Sequence, residues 1–103
     1  MPDDKPYGIE ASDSYSEAFA ALDAGHQERI VRLLREHVRF QPTARYPGLK
    51  ELRGAWRGHY QFMVSASRGI RLVYRVDEDS HVVRIEYLGS HPSWSRSRDA
   101  QNL

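Results

Sequence analysis

The apolar residues of this 103-residue chain change their period part-way along it, from about 3.6 residues to about 2. One kind of element cannot serve both halves, so helices come first and strands follow. Tyr15, Ala18, Phe19 and Leu22 fall at i, i+3, i+4 and i+7, one stripe of a helix. Ser14-Tyr15-Ser16-Glu17 in front of that stripe has capping-box spacing. Gly25 is the stop signal. A second helix is predicted over 26–40, with Ile30, Leu33, Leu34, His37 and Val38 as its stripe and Pro42 as its end. The connection is short, so the two helices form an antiparallel hairpin. His37 lies on the apolar stripe and reads as a packed core residue.

Residues 41–58 read as loop, punctuated by Pro42, Pro47-Gly48, Gly54 and Gly58. Beyond them Tyr60, Phe62 and Val64 alternate with polar or larger neighbours. Ile70, Leu72, Tyr74 and Val76 do the same, as do Val83, Ile85 and Tyr87. Ser67-Arg68-Gly69 and Asp77-Glu78-Asp79-Ser80 are the turns between them, and the acidic run reads as a solvated turn rather than a metal cluster. A short strand is expected over 7–11. The fold class is therefore α+β, in the order β-α-α-β-β-β: a small antiparallel sheet with the helical hairpin packed on one face. Residues 1–6 form a flexible lead-in, 7–94 a single domain and 95–103 a polar C-terminal tail. The sheet's other face carries Arg71 and Arg75, with His59 and Gln61 beside them, and such a face suits a polar ligand. His26 and His81 begin elements and read as solvated.

Charge sharpens the class of ligand. Fifteen Lys+Arg against fourteen Asp+Glu leave a net charge of only +1. The distribution is uneven: residues 1–40 carry a net −3, residues 41–103 a net +4, and residues 45–75 a net +6. Thirteen of the fifteen cations are arginine, whose planar fork suits bidentate phosphate contact. The basic stretch also holds Tyr46, Trp56, Tyr60 and Tyr74, a mixture compatible with nucleic acid. The chain has no cysteine, which excludes disulfides, thiolate metal sites and Cys nucleophiles. It has no apolar run of about 18 residues, and its acidic N-terminus is unlike a signal peptide. It reads as a soluble cytosolic protein that does not enter a membrane. Its five histidines show no tight ligand spacing, so neither metal nor cofactor is expected.

Leu52-Arg53-Gly54, Gly58-His59-Tyr60, Gly69-Ile70-Arg71-Leu72-Val73-Tyr74-Arg75-Val76 and Tyr87-Leu88-Gly89-Ser90-His91 follow one another in an order and spacing that resembles the RelE/ParE superfamily of toxins from bacterial toxin–antitoxin systems. "RLVY" after a glycine-containing hairpin is similar to RelE and YoeB; "LRGAWRG" and "LGSH" are closer to YafQ. The resemblance covers residues 7–94. It implies a metal-independent endoribonuclease that cuts mRNA on the ribosome, the RNA's own 2′-hydroxyl attacking the adjacent phosphate and thereby blocking translation and growth. By position, His91 matches the family's C-terminal histidine, a general acid. Arg71 matches the arginine that faces the scissile phosphate, and Arg53 stands at the basic position of the "L-basic-G" motif. Lys50, Arg57 and Arg75 are further RNA contacts, and Trp94 the aromatic that stacks on a base. The general base is left between Glu51 and His59, because Lys50 occupies the position at which YoeB-like members carry glutamate.

The same resemblance leaves two other functions open: a ParE-like inhibitor of DNA gyrase, and a catalytically decayed toxin kept as an antitoxin-binding module. In each case it implies a cognate antitoxin as partner, in a toxin–antitoxin heterotetramer, with a homodimer as the alternative assembly. An acidic disordered segment of such a partner would be attracted to the cationic stretch 45–75 and order upon it.

Overall fold

The structure, a computed structural model, describes residues 5–90; His91, Trp94 and the tail 95–103 lie outside the described residues. Its elements in chain order are strand β1 (Gly8–Ala11), helix α1 (Asp13–Ala20), helix α2 (Ala24–Leu33), strand β2 (Leu49–Glu51), and strands β3 (His59–Ser65), β4 (Ile70–Asp77) and β5 (Val82–Ser90). The fold is α+β, a helical pair on one face of a five-stranded sheet, as the change of period implies.

The helix boundaries lie two residues before the sequence expectation. Ser12, not Ser14, is the N-cap of α1: its Oγ accepts the Tyr15 N–H at 3.3 Å. Asp23 caps α2, accepting the His26 N–H at 3.0 Å, so Gly25 falls inside the first turn of α2 instead of stopping α1. A side-chain acceptor in extended conformation before the helix satisfies an orphan N–H, and that contribution outweighs the glycine's freedom. The end of α2 widens into a π-turn over Leu34–Val38, where the Arg39 N–H reaches the Leu34 carbonyl at 3.1 Å. Ile30, Leu33 and Val38 are fully buried, His37 is 8 % exposed, and together they lie on the sheet side.

The sheet order is β1-β5-β4-β3-β2. β2 through β5 form the antiparallel meander, and β2 is an additional edge strand inside the stretch that reads as loop. Three residues are too few for a period to be visible. β1 pairs with β5 in parallel, making the sheet mixed. This pairing follows from the path: the chain leaves β1, crosses through both helices to the far edge, and returns by meander to lie beside β1. His81 closes the β4–β5 turn at φ 58°, and its ring stacks on Tyr7 at 3.9 Å. His81 is thus a packing residue at the base of β1, not a solvated one. His26 is likewise half-buried, against Asp23.

Phe62, Val64, Leu72, Tyr74, Val83, Ile85 and Leu88 meet the helices in the core. Full burial of each such aliphatic side chain contributes about 1.5–3 kcal/mol. Tyr74 is wholly buried and its hydroxyl donates to the Pro42 carbonyl at 2.6 Å. Burial pushes its phenol well above the ordinary range. His37 Nε2 lies 3.0 Å from the Ala44 carbonyl, and its ring packs on Tyr46. These contacts hold the 42–48 segment against the core and so place β2 at the sheet's edge. No helix among the described residues is long and apolar enough to cross a membrane.

Candidate functional site

Register decides which side chains share the face opposite the helices. Tyr60, Tyr74 and Ile85 are cross-strand neighbours on the core side, so the residues between them point the other way. Lys50 pairs with Gln61, Gln61 with Val73, Met63 with Arg71, and His59 with Arg75. Val73 is fully buried and yet stands apart from the core beneath the helices, so this face has an apolar floor of its own.

On β5 the alternation breaks. Consecutive residues Val73 and Tyr74 face Tyr87 and Ile85, which leaves Glu86 as an extra residue, a β-bulge. A one-residue slip moves every later side chain to the opposite face. Val83 and Ile85 therefore belong to the core, and beyond the bulge Leu88 replaces them there. Tyr87 and Gly89 turn to the open face, as partners of Val73 and Arg71. The sequence reading assigns Tyr87 to the apolar stripe and expects a bend at Gly89; the parity change comes three residues earlier. Leu88, apolar and out of phase with Val83 and Ile85, is the sequence signal that could have located it.

Three arginines stand on this face, and carboxylates distinguish them. Arg84 is held by Glu10 and by Asp77, the latter at 3.1 Å. Its hydrogen bond to Asp77 and the charge of Glu10 raise its pKa. Asp77 is held below its ordinary value, first by the Ser80 backbone N–H and then by Arg84. Arg75 Nε bonds Glu86 at 2.9 Å. Arg71 has no carboxylate partner among the described residues, and its Nε is buried without a hydrogen-bond partner. A guanidinium fixed against a sheet with a donor unsatisfied is ready for an incoming anion.

The remaining assigned residues divide. Lys50 projects from the edge strand onto the Arg71 face. His59 shares that face; its ring meets Trp56 edge-on at 4.9 Å and its Nδ1 is buried without a hydrogen-bond partner. It sits opposite Arg75, four residues along β4 from Arg71, a separation of roughly 13 Å along the strand. Glu51 pairs with Tyr60, on the core side of the pleat, so the register does not bring it to Arg71. With Leu52, Arg53, Gly54 and Arg57 it lines a hollow of 360 Å³ at the end of β2. Arg53 starts the 3-10 turn Gly54–Trp56, and both Arg53 and Arg57 are exposed. His59 and Glu51 thus stand on different sides of the sheet edge, and only His59 shares a face with Arg71.

No protein-family model matches the chain, and no curated relative matches it. Solved structures do. A mutant of the E. coli toxin RelE in the free state superposes with a TM-score of 0.70 at 23 % identity, over 95 % of this chain and 98 % of that one. The YoeB/ParE toxin from Agrobacterium tumefaciens gives 0.68 at 23 % identity, over 82 % and 98 %. The toxin–antitoxin complex RelBE2 from Mycobacterium tuberculosis gives 0.65 at 19 % identity, over 84 % and 99 %. The chain has the fold of these toxins.

Proposed function

We propose that this chain is the toxin of a type II toxin–antitoxin system and acts as an endoribonuclease on mRNA, at the ribosome. The observation that carries the reading is Arg71, the arginine of the open face left without a carboxylate while Arg75 and Arg84 are paired. It occupies the "RLVY" arginine position within a toxin fold. In the proposed reaction the 2′-oxygen forms a bond to phosphorus, the bond to the 5′-oxygen breaks, and a 2′,3′-cyclic phosphate is left. Arg71, with Lys50 from the same face, bears the charge that builds on the phosphate oxygens. His91 gives a proton to the departing 5′-oxygen, a task suited to an imidazole that titrates near neutrality. Of the two candidates for the base, His59 is favoured over Glu51 because it shares the face of Arg71. Arg53 and Arg57 flank the track as phosphate contacts, and Arg75 joins them where it is released from Glu86.

The proposed partner is an antitoxin whose acidic segment covers the cationic stretch 45–75. Seven cations against Glu51, the single acid between residues 45 and 75, give that attraction its physical basis.

Cleavage of mRNA in a purified translation reaction tests the reading. The intact chain is expected to leave 2′,3′-cyclic phosphate ends. Arg71→Ala and His91→Ala are each expected to slow cleavage by about 10²–10³-fold with the fold retained. Undiminished cleavage in both variants, or trapping of broken DNA on gyrase in place of RNA cleavage, would overturn it.

A further inference from the structure

The β5 bulge has placed a tyrosine beside Arg71, and the ring is held in a particular way. The Tyr87 hydroxyl donates to the Ser90 carbonyl at 2.9 Å, at an exposed position. An alanine Cβ at position 89 would stand 2.6 Å from that hydroxyl oxygen, 2.9 Å from Cζ and 3.2 Å from Cε2. The ring therefore lies along its own strand, over the backbone of Gly89, in space that only a glycine leaves free. Gly89 is the cross-strand neighbour of Arg71, so the ring and the unpaired guanidinium occupy adjoining positions on one face.

The core under the helices does not demand this arrangement. Tyr87 takes no part in the core under the helices, where Leu88 fills the corresponding place. Its ring is tethered at both ends, by its own backbone and by the bond to Ser90, so little conformational freedom remains to be lost on binding. It remains partly exposed. A flat aromatic beside a cation is how single-stranded nucleic acid is held without base pairing: the phosphate goes to the cation and the base to the ring.

We propose that Tyr87, laid over Gly89, is a stacking platform for an RNA base next to the phosphate bound by Arg71. The proposal rests on the RNA reading above and adds to it a binding residue to which the resemblance gives no role. Gly89 is its positioning residue, required because any side chain there would lift the ring.

The test is binding, not cleavage. The probe is a fluorescein-labelled single-stranded oligoribonucleotide with 2′-O-methyl groups, which cannot supply a nucleophile. Tyr87→Leu is expected to weaken binding roughly tenfold, the usual scale of one lost base stack. Tyr87→Phe keeps the ring and is expected to rescue most of that loss. Gly89→Ala keeps the tyrosine but displaces it, and is expected to weaken binding as Tyr87→Leu does. The loss in Tyr87→Leu should vanish on an oligonucleotide whose bases are replaced by abasic sites. Circular dichroism and thermal melts identify any variant that has unfolded, and Gly89→Ala gives a reading independent of the tyrosine substitution. If Arg71→Ala weakens binding while Tyr87→Leu and Gly89→Ala do not, the platform is overturned and the RNA reading stands. If the unaltered chain does not bind the probe, both fall together.

Discussion

Arg71, Arg75 and Arg84 project from one face of the sheet, and the acids beside them give them different work. Glu10 and Asp77 make Arg84 a tie between β1, β4 and β5. Glu86 ties Arg75 across the β4–β5 ladder. Of these three, Arg71 alone has no carboxylate partner among the described residues, so Glu86→Gln is expected to increase affinity for single-stranded RNA modestly by releasing Arg75. Asp77 carries a pH dependence with a definite sign. Its folded-state pKa lies below the ordinary 3.8, mainly through the Ser80 N–H and then through Arg84. Its contribution to stability is therefore fully present above about pH 4 and is lost as pH falls through the depressed folded value. Urea unfolding midpoints measured from pH 6 down to pH 2 are expected to fall on the acid limb, and Asp77→Asn should flatten that fall. None of these pairings is visible in sequence order, since Glu10 and Arg84 are 74 residues apart.

At the scale of elements, patterning announces helices and strands, while hydrogen bonds decide where each begins. Ser12 and Ser14 are alike in type and both precede the Tyr15 stripe; only Ser12 supplies the acceptor to the Tyr15 N–H. Ser12→Ala is expected to lower stability by about 1 kcal/mol, and Ser14→Ala by clearly less, in urea unfolding. The bulge at Glu86 is the larger case. Deleting Glu86 removes the extra residue and leaves Ile85, Tyr87 and Leu88 in regular alternation, so Leu88 stays in the core and Tyr87 on the open face. In urea unfolding Leu88→Ala is therefore expected to destabilise the chain by about 2 kcal/mol or more, and deletion of Glu86 by clearly less. β2 escaped the sequence reading because three residues between glycines and prolines carry too little periodicity, and its place depends on Tyr74 and His37 holding the 42–48 segment.

Across the whole molecule a net charge of +1 conceals an acidic helical half and a basic sheet half. Binding driven by that basic side should weaken steeply with salt. For single-stranded RNA each phosphate contact is expected to contribute a slope of about −0.7 in log K against log salt. A titration series should show that Arg71→Ala and Lys50→Ala each remove about one such unit, whereas Arg84→Ala, already paired, removes much less. The sequence by itself determined the class of the fold, the helical hairpin, the three long strands and the segregation of charge. Those properties reside in period, composition and local spacing, which neighbours along the chain specify. Tertiary structure alone decided that β1 runs parallel to β5, that Arg75 and Arg84 are neutralised while Arg71 is not, that Glu51 lies off the Arg71 face, and that Tyr87 lies on it. Each of these depends on which strands pair and in what register, and one residue of slip at a bulge is enough to exchange the two faces of a sheet.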